Sequence, residues 1–186
     1  RMNKRQFTKE LFSAAKEVFR PISDEDKATV KGKYTDGKEY SVYAGSVHPR
    51  KNLMNLLKAF SVFKKRQQSG MKLVLAGRLA WKYQSFTEGL KSYKYRDDVL
   101  LTGYAEEKEL AKIIAAAYAL VYPSLHEGCG VPVLEAMQSG VPVITSSASS
   151  MQEIAGDAAL YANANEHTAL ADCMMRLYKD ENLRNH

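Results

Sequence analysis

Two glutamates, Glu127 and Glu135, stand with seven residues between them, and the gap begins with a Gly128-Cys129-Gly130 turn. Glycine lets the backbone adopt conformations that other residues resist and lets a ligand approach closely. Pro132 follows the turn and suits the first turn of a helix, where a missing N–H group costs nothing. The spacing therefore predicts a ligand site in which two carboxylates bind hydroxyl groups at the two ends of an extended molecule.

A helix is predicted over residues 131–138, directly after this turn. Its free N–H groups, around Gly130 and Val131, would point back at the loop and form a site for phosphate or another anion. Glu135 would lie one turn into the helix among apolar neighbours, where an acid without a partner is costly. The alternative is that Glu135 is a solvated helix residue and Glu127 an ordinary loop acid.

A second group of polar residues follows the first predicted strand. Gly45 and Ser46 open the loop, and Arg50 and Lys51 add two cations just before a predicted helix. Lysine supplies a compact charge and arginine a planar fork, so the two together suit a diphosphate. The alternative is that both are ordinary solvated charges.

Arg78 and Tyr104 each follow a glycine at the end of a predicted strand. Each also admits a structural interpretation, Arg78 as a member of a surface ion pair and Tyr104 as a cover for its loop. His48 and His126 border the same loops as packing or hydrogen-bonding residues, because no Ser/His/Asp or Cys/His constellation is evident. The side chain of Cys129 is expected to pack and not to act as a nucleophile.

Short β-like runs alternate with helical stretches along most of the chain. The runs cover residues 40–44, 72–76, 99–102, 119–122, 143–145 and 159–161, and the helical stretches cover 52–66, 81–93, 106–118, 131–138 and 167–178. This alternation implies parallel strands joined by right-handed crossovers, hence a doubly wound α/β fold with a Rossmann-like parallel sheet. Ligands bind beyond the carboxyl ends of such strands, where the residues singled out above all lie.

Residues 1–39 are predicted to form a helical arm and linker, and residues 40–186 the ligand-binding domain. Apolar residues recur at helical spacing over residues 8–19, and Ser23 begins a capping box that opens a second helix towards Lys33. Residues 1–33 hold nine Lys or Arg and five Asp or Glu, a surplus of four out of the net charge of +6. The arm is interpreted as solvated, with contact to an anionic membrane surface or another polyanion as the alternative.

The composition bounds the class of protein. The chain has 186 residues, of which 45% are hydrophobic, and this fits one domain with an apolar core together with an arm. No apolar run approaches the roughly 20 residues that span a bilayer, and no secretory signal is visible. Cys129 and Cys173 lie far apart and form no metal-ligand spacing, which favours a reduced, cytosolic location.

Several blocks together resemble a known family. They are Tyr43 to Asn52, Leu73-Val-Leu-Ala-Gly77, Val99-Leu-Leu-Thr-Gly103, Tyr122-Pro-Ser124, Glu127 to Glu135 and Glu153-Ile-Ala-Gly-Asp157. Their order and the E-x7-E spacing resemble the C-terminal, donor-binding domain of retaining glycosyltransferases of family 4, which have the GT-B fold. The resemblance covers residues 40–184, most of the chain.

The resemblance implies roles for individual residues. Lys51 matches the lysine that holds the donor pyrophosphate, and Ser46 stands where a further arginine is common. Either Arg50 or Arg78 would then complete the positive charge, and Arg50 is favoured. Tyr104 matches a position beside the nucleotide base, and Cys129 stands where phenylalanine is common.

The resemblance also implies a function. A nucleotide-diphosphate sugar would bind with Glu127 on its sugar hydroxyls and Glu135 on its ribose, and the sugar would pass with retention to an acceptor of polysaccharide or glycolipid assembly. A missing N-terminal domain would bring the acceptor, so this chain alone would be inactive. The protein is expected in the cytoplasm, with peripheral contact at the inner face of the membrane.

Several absences narrow the choice. The chain has no G-x-x-x-x-G-K-[ST] loop, the Gly128-Cys129-Gly130 turn lacks the third glycine of a dinucleotide fingerprint, and no His/Cys cluster has metal spacing. A metal-independent reaction without a cofactor is therefore expected, and neither nucleic acid nor a metal is an expected partner. The alternatives are a nucleotide-sugar epimerase or phosphorylase of similar fold, and a non-catalytic nucleotide-binding or interaction module.

Overall fold

The computed structural model describes residues 17–127, 129–147 and 149–185. Its centre is a six-stranded sheet with the strand order β3-β2-β1-β4-β5-β6, and every neighbouring pair is parallel. The strands are β1 (Tyr40–Ala44), β2 (Lys72–Ala76), β3 (Val99–Gly103), β4 (Ala119–Tyr122), β5 (Val143–Ser146) and β6 (Ala159–Ala162). The predicted doubly wound parallel sheet is confirmed, including its sixth strand.

Helices connect the strands and cover both faces of the sheet. In the described residues they are α1 (Asp24–Thr35), α2 (Leu53–Gln67), α3 (Gln84–Lys91), α4 (Glu107–Ala115), α5 (Val131–Gln138), α6 (Ser149–Ala155), α7 (His167–Lys179) and α8 (Glu181–Arg184). The prediction missed α6 and α8. The helix predicted over residues 81–93 was too long, because Lys82 adopts a left-handed conformation with φ of 62° and a right-handed helix cannot pass through it.

The core lies on both faces of β1 and β4, the central strands. All five residues of β1 and all four of β4 are buried, as expected of strands covered on both sides. On one face α2 packs against α7, where the rings of Phe63 and Tyr178 meet edge to face with centroids 5.4 Å apart. Both loops that follow these central strands are therefore anchored in the most rigid part of the domain.

The carboxyl ends of β1 and β2 approach each other unusually closely. A Cβ atom at Gly77 would lie 1.8 Å from the carbonyl oxygen of Gly45, so only glycine fits there. Beyond the strands, Gly45 N–H donates to Ala76 at 2.9 Å and Val47 N–H donates to Arg78 at 3.0 Å. These bonds extend the pairing of the two strands into their loops and fix the backbone of the loop that leads to Lys51.

The described part of the N-terminal segment, residues 17–39, packs against the rest of the domain. Ser23 accepts a hydrogen bond from Asp26 N–H at 3.1 Å and caps α1, which confirms the predicted helix start. Tyr34 then donates to Glu109 of α4 at 2.5 Å. Of the helix predicted over residues 8–19, residues 8–16 lie outside the described residues, whereas residues 17–19 are not helical and Phe19 is buried.

The described residues contain neither a membrane-spanning helix nor a cluster of metal ligands. Within them, no helix combines the length and the apolar character that crossing a membrane requires. Within the same ranges, no group of three or more His, Cys, Asp or Glu side chains is arranged to hold a metal ion.

Candidate functional site

The turn that carries Lys51 is shaped by its neighbours in sequence. Pro49–Lys51 form one 3-10 turn, and His48 caps it by accepting a hydrogen bond from Arg50 N–H at its Nδ1 atom, at 3.3 Å. His48 is thus a hydrogen-bonding residue, as predicted. Asn52 ends the turn with a left-handed conformation, φ 62°, which asparagine tolerates better than most residues. The chain therefore reverses there, and Lys51 lies at the carboxyl edge of the sheet.

Asn52 also connects three loops through the hydrogen bonds of its side-chain amide. Its Nδ2 atom donates to the carbonyl of Pro123 at 3.1 Å and to that of Ala164 at 2.6 Å. The N–H of Leu125 in turn donates to the carbonyl of Arg50 at 3.0 Å. The loops after β1, β4 and β6 are thereby fixed against one another, and sequence reasoning missed this residue, although an asparagine directly before a helix is a usual capping signal.

Lys51 and Glu127 meet at the centre of these loops. The Lys51 ammonium forms an ion pair with Glu127 Oε1 and donates to the Tyr122 hydroxyl at 3.2 Å. Ser124, a buried residue, donates to the same Oε1 atom at 2.7 Å. The side chains of Lys51 and Glu127 are only 12% and 15% exposed. The structure thus brings together two residues that sequence reasoning had assigned to different parts of a ligand.

The electrostatics of this cluster keep the carboxylate charged. Burial acts to raise the pKa of Glu127, but hydrogen bonds from Lys51 and Ser124 outweigh it and hold that pKa below its ordinary value. Burial strongly raises the pKa of Tyr122, and the nearby Glu127 charge adds to the effect, so the phenol remains protonated. At neutral pH the cluster therefore combines a cation, an anion and a neutral hydroxyl.

The turn between Glu127 and α5 is supported by α6. Ser150 of α6 donates to the carbonyl of Glu127 at 2.7 Å. Gly130 begins α5 with φ of 52°, and a Cβ atom there would lie 2.6 Å from Met151 Cε and 3.1 Å from Ile154 Cδ1. The left-handed conformation and the close approach of α6 therefore both favour glycine at this position. The other glycine of the predicted turn, Gly128, lies outside the described residues.

The remaining predicted residues of this loop are accessible. Cys129 is exposed, contrary to the expectation that its side chain packs, and Val131 is partly exposed at the first position of α5. Glu135 is partly exposed, while its neighbours Leu134 and Ala136 are buried. Its backbone carbonyl accepts from the Ser139 hydroxyl at 2.8 Å. Glu135 thus lies on the partly accessible side of α5, in the second turn from the helix N-terminus.

Arg78 and Tyr104 are brought together at the ends of β2 and β3. The Arg78 guanidinium lies 4.8 Å from the centroid of the Tyr104 ring, and Tyr104 is 67% exposed. An isolated antiparallel bridge joins the adjacent Gly77 and Gly103. The two side chains therefore form one accessible cation and aromatic pair. Arg50 is also exposed, so the choice between Arg50 and Arg78 as the second cation stays a prediction.

This arrangement suits one kind of ligand. Lys51, whose side chain is largely buried, and the N-terminus of α5 offer positive charge to an anion. The charged Glu127 beside them can accept hydrogen bonds from hydroxyl groups. An exposed aromatic ring with an arginine lies at the ends of the adjacent strands. A molecule with phosphate groups, hydroxyl groups and a planar ring would match all three features.

Comparisons with known proteins agree with this chemistry. The family model for glycosyl transferases group 1 matches residues 24–186. Over 145 residues the chain is 33% identical to O-antigen chain mannosyltransferase B of Escherichia coli, covering 78% of this chain and 38% of that protein. The chain therefore spans less than half the length of this relative.

Solved structures share the fold. The C-terminal domain of LpcC from Francisella tularensis, a glycosyl transferase group 1 family protein, has a TM-score of 0.79 and 24% identity over 91% of this chain and 89% of that domain. HepE of Anabaena, solved in complex with UDP-glucose, has a TM-score of 0.76 and 17% identity over 90% of this chain and 48% of that one. These likenesses show that the fold is the Rossmann-like half of a GT-B structure.

Proposed function

We propose that this chain, which belongs to the glycosyl transferases group 1 family, binds a nucleotide-diphosphate sugar and serves in the transfer of the sugar, with retention of configuration, to an acceptor hydroxyl, with the nucleotide diphosphate as the leaving group. The observation that carries the proposal is the Lys51 and Glu127 pair at the carboxyl edge of the sheet. In a doubly wound sheet this edge is where ligands bind. The pair offers a cation for the diphosphate and an acceptor for sugar hydroxyls at one point.

The diphosphate would lie against Lys51 and the N–H groups around Gly130 and Val131. Charge grows on the leaving phosphate as the glycosidic bond breaks, and fixed positive groups bind that charge more strongly than they bind the ground state. Arg50 or Arg78 would add a second cation. Because these groups supply the charge that a divalent ion could otherwise supply, we propose that the reaction needs no metal.

The two glutamates would bind the two ends of the donor. Glu127, ionised and held by Ser124, would accept hydrogen bonds from the sugar hydroxyls and orient the ring. Glu135 would accept hydrogen bonds from the ribose, and Tyr104 with Arg78 would lie beside the base. The name of the Escherichia coli relative makes mannose the first donor sugar to test, and the acceptor would be a growing polysaccharide or glycolipid.

Calorimetric titration tests the donor site directly. We would titrate the chain with GDP, UDP, GDP-mannose and UDP-glucose, first with a chelator and then with Mg²⁺. Lys51→Ala is expected to weaken binding of the preferred nucleotide by about 10-fold or more, since a hydrogen bond to a charged group contributes roughly 1.5–3 kcal/mol. Lys58→Ala, which removes an exposed lysine of α2, serves as the matched control and is expected to bind normally.

A second experiment tests the catalytic assignment. In the complete enzyme that contains this chain, Glu127→Ala is expected to reduce transfer by about 100-fold or more, because losing an orienting contact commonly costs that much. Near-normal transfer by this variant would refute the role of Glu127. If the folded chain and the complete enzyme both bind no nucleotide, the non-catalytic module becomes the better interpretation.

A further inference from the structure

We propose that the hydroxyl group of Tyr122 is a positioning group, which holds the Lys51 ammonium and the Glu127 carboxylate in the orientation that the donor requires. Tyr122 would touch neither the sugar nor the phosphates itself. This inference rests on the proposed function and deepens it. It assigns a role to a buried side chain that the donor contacts described above do not use.

The position of the hydroxyl carries the proposal. Tyr122 is the last residue of β4, and it is 1% exposed. Its oxygen lies 3.2 Å from Lys51 Nζ, from which it accepts a hydrogen bond, and the same ammonium is ion-paired with Glu127. Its ring lies 5.4 Å from that ammonium. One buried hydroxyl therefore contacts the cation of the proposed site directly and lies beside the carboxylate that this cation holds.

The ring is held rigidly, so the hydroxyl is fixed in space. It stacks on the ring of Tyr43 with centroids 5.9 Å apart and planes inclined by 12°. Tyr43 is in turn fixed by its hydroxyl, which donates to the carbonyl of Ser46 at 2.8 Å. The carbonyl of Tyr122 accepts from the Thr145 hydroxyl at 2.8 Å. Tyrosine has only two main side-chain torsions to restrict, so this packing leaves its hydroxyl little freedom.

A neutral hydroxyl is suited to this task because it can accept and donate at once. It accepts from Lys51 through a lone pair, and its proton remains available for donation to the neighbouring Glu127 carboxylate. An ammonium has three N–H donors and a carboxylate has two oxygens, so both groups can bind further partners while they contact Tyr122. When a diphosphate takes a donor of Lys51 and a sugar hydroxyl takes a lone pair of Glu127, the bonds to Tyr122 can remain.

The alternative interpretation is that Tyr122 has only a packing role in the core. A phenylalanine would fill the same space and keep the stack on Tyr43. Burying a hydroxyl without a partner is unfavourable, whereas here the hydroxyl has the charged ammonium of Lys51 as its partner. The two interpretations differ in one respect, which is whether removal of the oxygen atom alone changes Lys51 and Glu127.

The test uses Tyr122→Phe with Tyr40→Phe as the matched control. Tyr40 is also fully buried, but its hydroxyl donates to the carbonyl of Ile113 at 2.5 Å, and Tyr40 begins β1 at the edge of the sheet opposite the site. Both variants lose one buried hydroxyl and its hydrogen bond, so both are expected to lose thermal stability. Only Tyr122→Phe should change the charged pair.

The first readout needs no ligand. The pKa of Glu127 is measured by a pH titration of its ¹³C-labelled carboxyl group by NMR, with the resonance assigned from Glu127→Gln. It is expected to rise in Tyr122→Phe and to stay unchanged in Tyr40→Phe, because a donated hydrogen bond stabilises the charged carboxylate. An unchanged pKa in Tyr122→Phe, or an equal rise in both variants, would overturn the inference.

The second readout is affinity for the preferred nucleotide sugar. Tyr122→Phe is expected to bind it about 5-fold to 10-fold more weakly than the unsubstituted chain, the usual effect of losing one positioning hydrogen bond. Native affinity in Tyr122→Phe, while Lys51→Ala loses binding, would overturn the inference and leave the proposed function intact. Absence of binding by the unsubstituted chain and by the complete enzyme would overturn the proposed function, and the positioning role with it.

Discussion

Replacing Lys51 by methionine removes the ammonium and keeps most of the side-chain volume, so it isolates the charge. In this variant Glu127 would keep Ser124 and Tyr122 as partners but lose its cation. The side chains of the pair are 12% and 15% exposed, between the fully buried and the fully exposed case. Breaking a buried pair costs roughly 3–5 kcal/mol and an exposed pair contributes under about 1 kcal/mol, so we expect a loss of about 2 kcal/mol at neutral pH.

The pH dependence of this loss separates charge from packing. The pKa of Glu127 in the folded chain lies below its ordinary value of 4.5, so the stability that this shift contributes is present above that value and is lost as the pH falls through the folded pKa. Without Lys51, the remaining burial acts to raise the pKa of Glu127. The variant therefore relieves its unpaired charge by taking up a proton, and the difference between the two proteins shrinks as the pH falls.

The assays are urea unfolding and thermal unfolding, both followed by circular dichroism, because the tryptophan Trp81 is 73% exposed in the folded chain and reports little on unfolding. At neutral pH the expected loss lowers the melting temperature by about 4–8 °C for a domain of this size. Lys33→Met is the matched control. Lys33 forms an ion pair with Glu109, but its side chain is 62% exposed, so no resolvable change is expected.

Two results would refute this reasoning. If Lys51→Met is as stable as the unsubstituted chain at neutral pH, then the ion pair with Glu127 contributes nothing. If the loss is the same at neutral pH and at about pH 4, where carboxyl groups titrate, then it comes from packing and not from charge.

Three further substitutions test the supports of the site. Gly130→Ala is expected to lower the free energy of unfolding by about 2–4 kcal/mol in urea, from left-handed strain and a clash with Met151, and to cost less, but still a measurable amount, when it is made in a Met151→Ala background. Asn52→Ala should cost about 2–3 kcal/mol in the same assay, because two hydrogen bonds and a favourable left-handed residue are lost. Ser124→Ala should raise the pKa of Glu127, measured by NMR titration, because one hydrogen bond to the carboxylate disappears.

Each of these has its own contrary outcome. If Gly130→Ala costs nothing in a Met151→Ala background, the left-handed backbone is not strained by the added methyl group. Asn52→Gly keeps the conformation and loses only the amide bonds, so it should be more stable than Asn52→Ala, and the reverse order would count against the backbone argument. A Glu127 pKa that does not move in Ser124→Ala would mean that this hydroxyl does not bond to the carboxylate.

Much of the fold was predictable because its signals are local. The strands are short apolar runs between glycines and polar loops, fully buried at the centre of the sheet and partly buried in β3 and β6, and their predicted bounds match the observed ones within one residue. The missed helix α6 has only seven residues, and the helical spacing of its buried Met151, Ile154 and Ala155 covers a single turn, which is too short to indicate a helix. The predicted start of α3 was wrong because Lys82 adopts a left-handed conformation. Lysine rarely does so, and nothing in the sequence around it indicates this conformation.

The candidate site was predictable only in part, because its decisive contacts are long-range. The residues at the strand ends could be assigned to one edge of the sheet from topology alone. The bonds of Asn52 to Ala164 and of Lys51 to Glu127 join residues separated by 112 and 76 positions. No spacing rule specifies such contacts, since they depend on how the loops pack once the sheet has formed.

The Lys51 and Glu127 contact also changes how the proposed site would choose its ligand. The sequence assigns each charged residue to a different part of the donor. In the absence of a ligand, however, buried charges are stable only when they form an ion pair with each other. A ligand that takes only Lys51 leaves Glu127 half-buried without its cation, and a ligand that takes only Glu127 leaves Lys51 in the same state. A nucleotide-diphosphate sugar offers both a negative charge and hydroxyl groups, so under the proposed function it replaces both partners at once. The ion pair would then favour the complete donor over free phosphate, which gives a new partner only to Lys51, and over a free sugar, which gives a new partner only to Glu127.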